Sequence, residues 1–198
     1  MDEDETAFFI SSILSFGSAL DSILEALTLL LAQNEWLFVS LLNIIMIKVL
    51  ITGAGSYVGE SVRKYILSTS YNFEIDAVDT MGDNWKNTDY SHYDVVYHVA
   101  GIAHVNADSK MEALYYKVNR DLTIEVAKHA KEAGVKQFIF MSSQIVFHES
   151  QSLKAEKLTF DTREHPNGFY GDSKLQAEKG LHELESPLFK VCILRPPM

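Results

Sequence analysis

Tyr170 and Lys174 stand four residues apart in Tyr170-Gly-Asp-Ser-Lys174, a spacing that puts both on one face of a helix. A tyrosine ordinarily titrates near a pKa of about 10, too high for a base at neutral pH. A neighbouring ammonium favours the phenolate, and a cationic nicotinamide would favour it further. Lowering such a pKa by about three units corresponds to roughly 4 kcal/mol of preference for the charged form. A solvated lysine alone does not supply that much, whereas a dry site with a cofactor bound can. Ser143, just beyond the apolar run Gln137-Phe-Ile-Phe-Met141, adds a hydroxyl that could hold a reacting alcohol or carbonyl. The set suits proton-coupled hydride transfer at a secondary alcohol. In isolation, the simpler account of Tyr170 and Lys174 is an aromatic and a charge on an ordinary helix.

A cofactor for such chemistry needs a cradle, and Lys48-Val-Leu-Ile-Thr-Gly-Ala-Gly-Ser-Tyr-Val-Gly59 offers one. Val49 to Ile51 reads as a buried strand, Gly53 and Gly55 break it, and Glu60 to Leu67 has helical spacing. A strand feeding a helix through a glycine turn aims backbone N–H groups and a helix dipole at one point, which suits a pyrophosphate. The glycines occupy positions one, three and seven, where the usual fingerprint has one, three and six. Asp79 follows Gly59 by 20 residues, at the end of the apolar stretch Glu74-Ile-Asp-Ala-Val-Asp79. An acid at that offset can accept from an adenosine ribose and repels a 2′-phosphate, so NAD is favoured over NADP.

These groups must be placed by strands and helices in alternation. Asp94-Val-Val-Tyr-His98 is a strand, and the small residues Val99-Ala100-Gly101 after it permit close approach of a cofactor to the backbone. His98 and His104 are expected to find hydrogen bonds at the strand edge rather than to catalyse. Between Asp79 and Asp94 the sequence has room only for an abbreviated crossover, with a strand expected near Trp85. Met111 to Ala133 reads as one long helix with Ala113, Val118, Leu122, Val126 and Ala130 down one side and Gly134 as its stop. Asn119, a poor helix former, either reaches inward or faces water. Ser142 and Ser143 stand at the carboxyl end of the next strand, the edge where open parallel sheets place their chemistry. The polar stretch Ser150 to Asn167 reads as a surface loop, the helix from Tyr170 ends near Leu184, and Lys190 to Leu194 is the last strand. The expected fold is α/β: a Rossmann-type, doubly wound parallel sheet with helices on both faces.

The net charge of −10 argues against nucleic acid as a partner. Residues 1–45 hold seven acids and no Lys or Arg, so residues 46–198 are nearly neutral. In the front segment Phe9, Ile13, Phe16, Leu20, Leu24, Leu27 and Leu31 follow helical spacing, but the longest uncharged run falls short of the ~18 apolar residues of a spanning helix. Residues 1–45 are therefore expected to be a helical extension, either a working module or sequence upstream of a true start at Met46. Residues 46–198 are expected to be the nucleotide-binding domain. Cys192 is the single cysteine, a small hydrophobe within a strand. No disulfide or metal-ligand spacing exists, and a cytoplasmic location is the default.

The ordered set Thr52-Gly53-Ala-Gly55-Ser-Tyr-Val-Gly59, Asp79, His98-Val-Ala-Gly101, Asn119, Met141-Ser-Ser143, Tyr170-Gly-Asp-Ser-Lys174 and Leu194-Arg-Pro-Pro197 resembles the extended short-chain dehydrogenase/reductase superfamily. Within it the match is to the NAD-dependent epimerase/dehydratase family, which includes UDP-glucose 4-epimerase. The resemblance covers about residues 46–198. It implies NAD as cofactor, a nucleotide sugar such as a UDP-sugar as substrate, and compatibility with a homodimer. It implies Tyr170 as base, Lys174 as its activator and ribose anchor, and Ser143 as partner of the substrate hydroxyl. Gly53, Gly55, Ser56, Tyr57, Val58 and Gly59 would cradle the pyrophosphate and Asp79 the adenosine ribose. Val99, Ala100 and Gly101 would line the cofactor's middle, with Ser142 beside it and Asn119 and Pro197 near the nicotinamide. A ketone or sugar reductase on the same scaffold, or an NAD-binding fragment, remains the alternative. The sequence departs from the family pattern at Ser56, where a glycine is usual. It also ends at Met198, before the lobe that grips the sugar nucleotide in family members.

Overall fold

The computed structural model describes residues 46–69, 71–103, 109–147, 159 and 161–197. The expectations for residues 1–45, His104 and most of the 150–167 loop lie outside them. Five strands form one parallel sheet: β1 (Ile47–Thr52), β2 (Phe73–Val78), β3 (Val95–His98), β4 (Gln137–Met141) and β5 (Lys190–Leu194), in spatial order β2-β1-β3-β4-β5. The chain runs outward from β1 to β2 and then returns to β3 on the other side of β1. The crevice beyond the carboxyl ends of β1 and β3 is therefore the switch point where such sheets bind ligands.

Strand alternation divides the core between the two faces. Val49, Ile51, Val95, Tyr97 and Ile139 face helix α1 (Tyr57–Leu67) through Val62 and Ile66. Leu50, Val96, Phe138 and Phe140 face the opposite layer, meeting Val126, Ala127 and Ala130 of one helix and Ala177 and Leu181 of another. Both faces are covered, as the near-continuous apolar strands require. α1 starts a turn earlier than the spacing of its apolar residues indicates, because Ser56 caps it: its Oγ accepts from Gly59 N–H at 3.1 Å.

Two expectations are corrected. Trp85 lies not in a strand but in the short helix α2 (Asn84–Asn87), where it is buried against the face of β1 and β3. A single large side chain fills the space that a further crossover unit would otherwise occupy. The long helix is also not uniform. It runs as α3 (Glu112–Tyr115), a seven-residue π-helical segment (Tyr116–Leu122) and α4 (Thr123–Glu132). The wider π turn moves the inward face, so Tyr115 and Asn119 are buried while Ala113 is exposed. From Val126 onward the α-helical spacing holds. Gly134, at φ +87°, ends the helix as expected. Helix α5 (Phe169–His182) then carries Tyr170 and Lys174 back across the sheet.

Candidate active site

The glycine turn is shaped by one close approach. Gly53 has φ +115°, and a Cβ there would come within 2.8 Å of the Ala100 backbone nitrogen. Gly53 and Ala54 both donate to the Val78 carbonyl, at 2.9 and 3.1 Å, which ties the turn to the end of β2. Asp79 follows directly and is exposed, with its carboxylate accepting from Met81 N–H at 2.9 Å. Gly55, at φ +76°, has open space around its missing side chain. Gly59 is held against Ile51 and Val99, where a Cβ would stand 3.1 and 3.3 Å from their methyl groups. Ser56 supplies the cap, and its carbonyl takes Glu60 N–H. Tyr57 and Val58 are left to contribute the free first-turn N–H groups of a helix start. Tyr57 is 87% exposed at this rim. The departure at Ser56 is thus a trade of a glycine for a helix cap. A cradle that a Cβ would fill, a helix start and an acid at the neighbouring strand end fit a dinucleotide.

Val99 and Ala100 leave β3 with both N–H groups bonded to the Thr52 carbonyl. Beneath them runs a buried polar chain. Thr123 Oγ1 donates to the Asn119 carbonyl at 2.8 Å, so it accepts from His98 Nε2 at 3.1 Å. That tautomer leaves His98 Nδ1 to accept from Thr52 Oγ1 at 2.7 Å. Burial, helped by the nearby Lys174 charge, pushes the His98 imidazole down to about 3. His98 is therefore neutral and structural, in keeping with the reading of its sequence. Asn119 reaches inward: its amide brackets the Ile102 backbone, accepting from N–H at 2.8 Å and donating to C=O at 3.0 Å. It also donates to Ser173 Oγ, which bonds the Tyr170 carbonyl. The π turn makes this reach available, and it fixes the segment after Gly101 to the start of α5.

Lys174 is the chemically distinctive group. It is 4% exposed, donates to the Met141 carbonyl at 2.8 Å and sits 4.6 Å from the centre of the Phe140 ring. A Cβ on Gly101 would lie 3.1 Å from its Nζ, so this ammonium adjoins the strip that follows β3. Burial pushes it down to about 8, opposed by the Glu178 carboxylate, and it stays mostly charged at neutral pH. Tyr170, 7% exposed, packs with Tyr115 and Ile145. Gly171 lets this happen, since a Cβ there would press within 2.8 Å of the Ile145 carbonyl. Ser143 caps the 3₁₀ turn Gln144–Val146, accepting from Ile145 N–H at 3.3 Å. Ser143 and Tyr170 are thus joined through Ile145. Ser142 is directed elsewhere: its Oγ donates to Glu178 Oε1, and its N–H to the Leu194 carbonyl. Pro197 is exposed beyond β5, and the neighbouring Pro196 carbonyl accepts from Gln144 N–H.

The family model for the NAD dependent epimerase/dehydratase family matches residues 49–198. The chain belongs to that family. It is 34% identical over 166 residues to a UDP-glucose 4-epimerase of Vibrio cholerae, covering 75% of this chain and 50% of that protein. A human UDP-glucose 4-epimerase is 29% identical over 138 residues, covering 67% of this chain and 38% of the relative. The chain therefore spans half or less of the curated relatives it matches. Among solved structures, a UDP-Glc/GlcNAc 4-epimerase of Campylobacter jejuni superposes with a TM-score of 0.62 at 26% identity, over 75% of this chain and 53% of that one. A Bacillus cereus UDP-glucuronic acid 4-epimerase in complex with NAD gives 0.63 at 24% identity, over 77% and 56%.

One residue of the candidate site escapes a motif-based reading, and it is paired with Arg195 of the Leu194-Arg-Pro-Pro197 motif, for which the sequence suggested no role. Glu178 is 2% exposed, and Arg195 reaches it from the end of β5 at 2.6 Å while also holding Glu164 at 2.9 Å. The available signal was Glu178 lying four residues beyond Lys174 on the same helix face. Among the described residues no helix is long and apolar enough to cross a membrane. Nor does any group of three or more His, Cys, Asp or Glu there form a metal site.

Proposed function

We propose that this chain carries the cofactor-binding and acid–base half of a nucleotide-sugar epimerase/dehydratase, most like a UDP-glucose 4-epimerase. The observation that carries the reading is the buried Lys174 ammonium set between the Met141 carbonyl and Gly101, one helical turn from Tyr170. Gly53, Gly55, Ser56 and Gly59 shape the cradle in which the N–H groups of Tyr57 and Val58 hold the pyrophosphate of NAD, and Asp79 holds its adenosine ribose. Val99 to Gly101 line the middle of the cofactor, with Asn119 and Pro197 toward its nicotinamide end, while Ser142, turned onto Glu178, supports that end from beneath. When bound, NAD supplies the acceptor and donor of hydride for a sugar hydroxyl carbon. Tyr170 takes the hydroxyl proton and returns it. Lys174 stabilises the phenolate in a site too dry to screen its charge, and Ser143 Oγ orients the sugar oxygen.

The reading is supported by the family membership, by the epimerase relatives and by the fit of the glycine cradle. Calorimetry with NAD on the chain tests the cradle, with saturable one-to-one binding expected and none in Gly53→Ala. Incubation with NAD and UDP-glucose, followed by separation of the UDP-sugars, tests the chemistry. Interconversion lost in Tyr170→Phe with NAD binding kept is the expected outcome. Net consumption of NADH with a keto substrate would mark a reductase instead, and absence of NAD binding overturns the reading.

A further inference from the structure

Lys174 and Glu178 occupy successive turns of α5, and both reach down to the carboxyl end of β4. Lys174 Nζ donates to the Met141 carbonyl at 2.8 Å. Glu178 accepts from Ser142 Oγ, the next residue along. Glu178 is in turn gripped by Arg195, whose Nε donates to Oε1 at 3.1 Å and Nη2 to Oε2 at 2.6 Å. Arg195 leaves β5, the strand that pairs with β4 in register Met141↔Leu194. A carboxylate 2% exposed is costly to keep unless it is fully hydrogen-bonded, and here each oxygen has a partner. Such a group, placed four residues beyond a buried ammonium, does more than fill space.

We infer that Glu178, locked by Arg195, is a positioning residue that keeps Lys174 charged and pinned at the end of β4 beside Ser143. The inference rests on Lys174 having the role assigned to it above, and it adds the group that sustains that role. The surroundings of Lys174 are otherwise poor in negative charge. Phe140 of β4 lies beneath it, and Gly101 and the amide of Asn119 lie to one side. His98 of β3 is neutral, and Tyr170 is the titratable neighbour on its own helix. Glu178 is the carboxylate that opposes the effect of burial on Lys174, which otherwise favours the uncharged amine. Its tie to Ser142 makes the same carboxylate fix the strand end from which Ser143 projects.

Lysine labelled with ¹³C at Cε, followed by NMR against pH in the whole chain, reads the Lys174 titration without any cofactor. Lys174→Arg identifies its resonance. Glu178→Gln keeps shape and the acceptor at one oxygen while removing the charge and one bond to Arg195, and a downward move of the Lys174 midpoint by about one pH unit is expected. Should that variant fold poorly with Arg195 left unpaired, Glu178→Gln with Arg195→Met removes both charges and is expected to move the midpoint the same way. A midpoint unmoved in the folded variants overturns the inference, even if their stability falls, because a merely structural carboxylate would produce that pattern. NAD calorimetry at pH 8 supplies the second readout: affinity about three- to tenfold weaker than wild type is expected as Lys174 loses charge. A shifted Lys174 midpoint with no NAD binding even in the wild type would sink the cofactor reading and leave this inference standing.

Discussion

The two walls of the crevice are built on different principles. The β1–α1 wall is backbone: Gly53 at φ +115°, Gly55 at +76°, and helix-start N–H groups, with exposed Tyr57 at its rim. The β4–α5 wall is side chain and charge: Lys174, Glu178 and Arg195 sunk at the sheet edge and tied to Met141 and Ser142. On the proposed reading the difference follows from the two tasks: a pyrophosphate already carries the charge that binds it, so its wall would need only room and aligned donors. A tyrosine acting as base would need a fixed cation and little water, which a buried, ionic wall supplies. The first wall is fragile to added atoms, the second to removed charge.

Among substitutions, the largest expected effect comes from breaking the ionic wall. Arg195→Ala strands the Glu178 carboxylate, and a loss of about 3 kcal/mol in urea unfolding is expected, the low end for a buried pair because Arg195 itself is partly exposed. On the backbone wall, Gly53→Ala combines a forbidden φ with a clash against Ala100, for about 2–3 kcal/mol and loss of NAD binding by calorimetry. Gly55→Ala sharpens that contrast. It meets nothing, so only its positive φ is charged, about 1 kcal/mol.

Acid should act between the walls, at His98. Its folded pKa is depressed to about 3 from 6.5, so below about 6.5 the unfolded chain binds a proton the folded chain does not. Stability is thus full above that range and falls as pH drops toward 3, by up to about 1.4 kcal/mol per unit. His98→Asn should flatten the His98 contribution to that slope in thermal melts across pH. Lys174 acts with the same sign higher on the scale: between about 8 and 10.5 the folded lysine sheds a proton that the unfolded chain keeps, so stability again rises with pH. The smallest effect belongs to Ser56. Ser56→Ala loses the cap to Gly59 for about 1 kcal/mol, while Ser56→Gly, which restores the usual family residue, costs only a few tenths.

Much of this was legible in the chain itself. The strands showed as apolar runs because both sheet faces are covered, and the glycine turn, Asp79, Tyr170 and Lys174 showed as motifs at fixed spacing. Four things did not show. Trp85 was assigned to a strand because the short segment was expected to pair, whereas its ring plugs a gap from a one-turn helix. Ala113 and Val118 were placed on the inner face by a period of 3.6, which the π turn does not obey. Glu178 drew no reading at all, because its burial depends on Arg195, 17 residues away in sequence and on another element. Ser56 read as a defect in the glycine pattern, although a serine immediately before a helix is itself the signature of a cap.

The π turn at Tyr116–Leu122 has a consequence for how this stretch can change over time. It amounts to an extra residue accommodated inside an otherwise α-helical run. A one-residue deletion that closed the wide turn would leave α3 and α4 in register, because the turn with one residue fewer is still one turn. What it would take away is the local widening through which the Asn119 amide brackets the Ile102 backbone. The segment thus carries its additional residue locally, while the packing of Val126 and Ala130 beyond it is left where regular winding puts it.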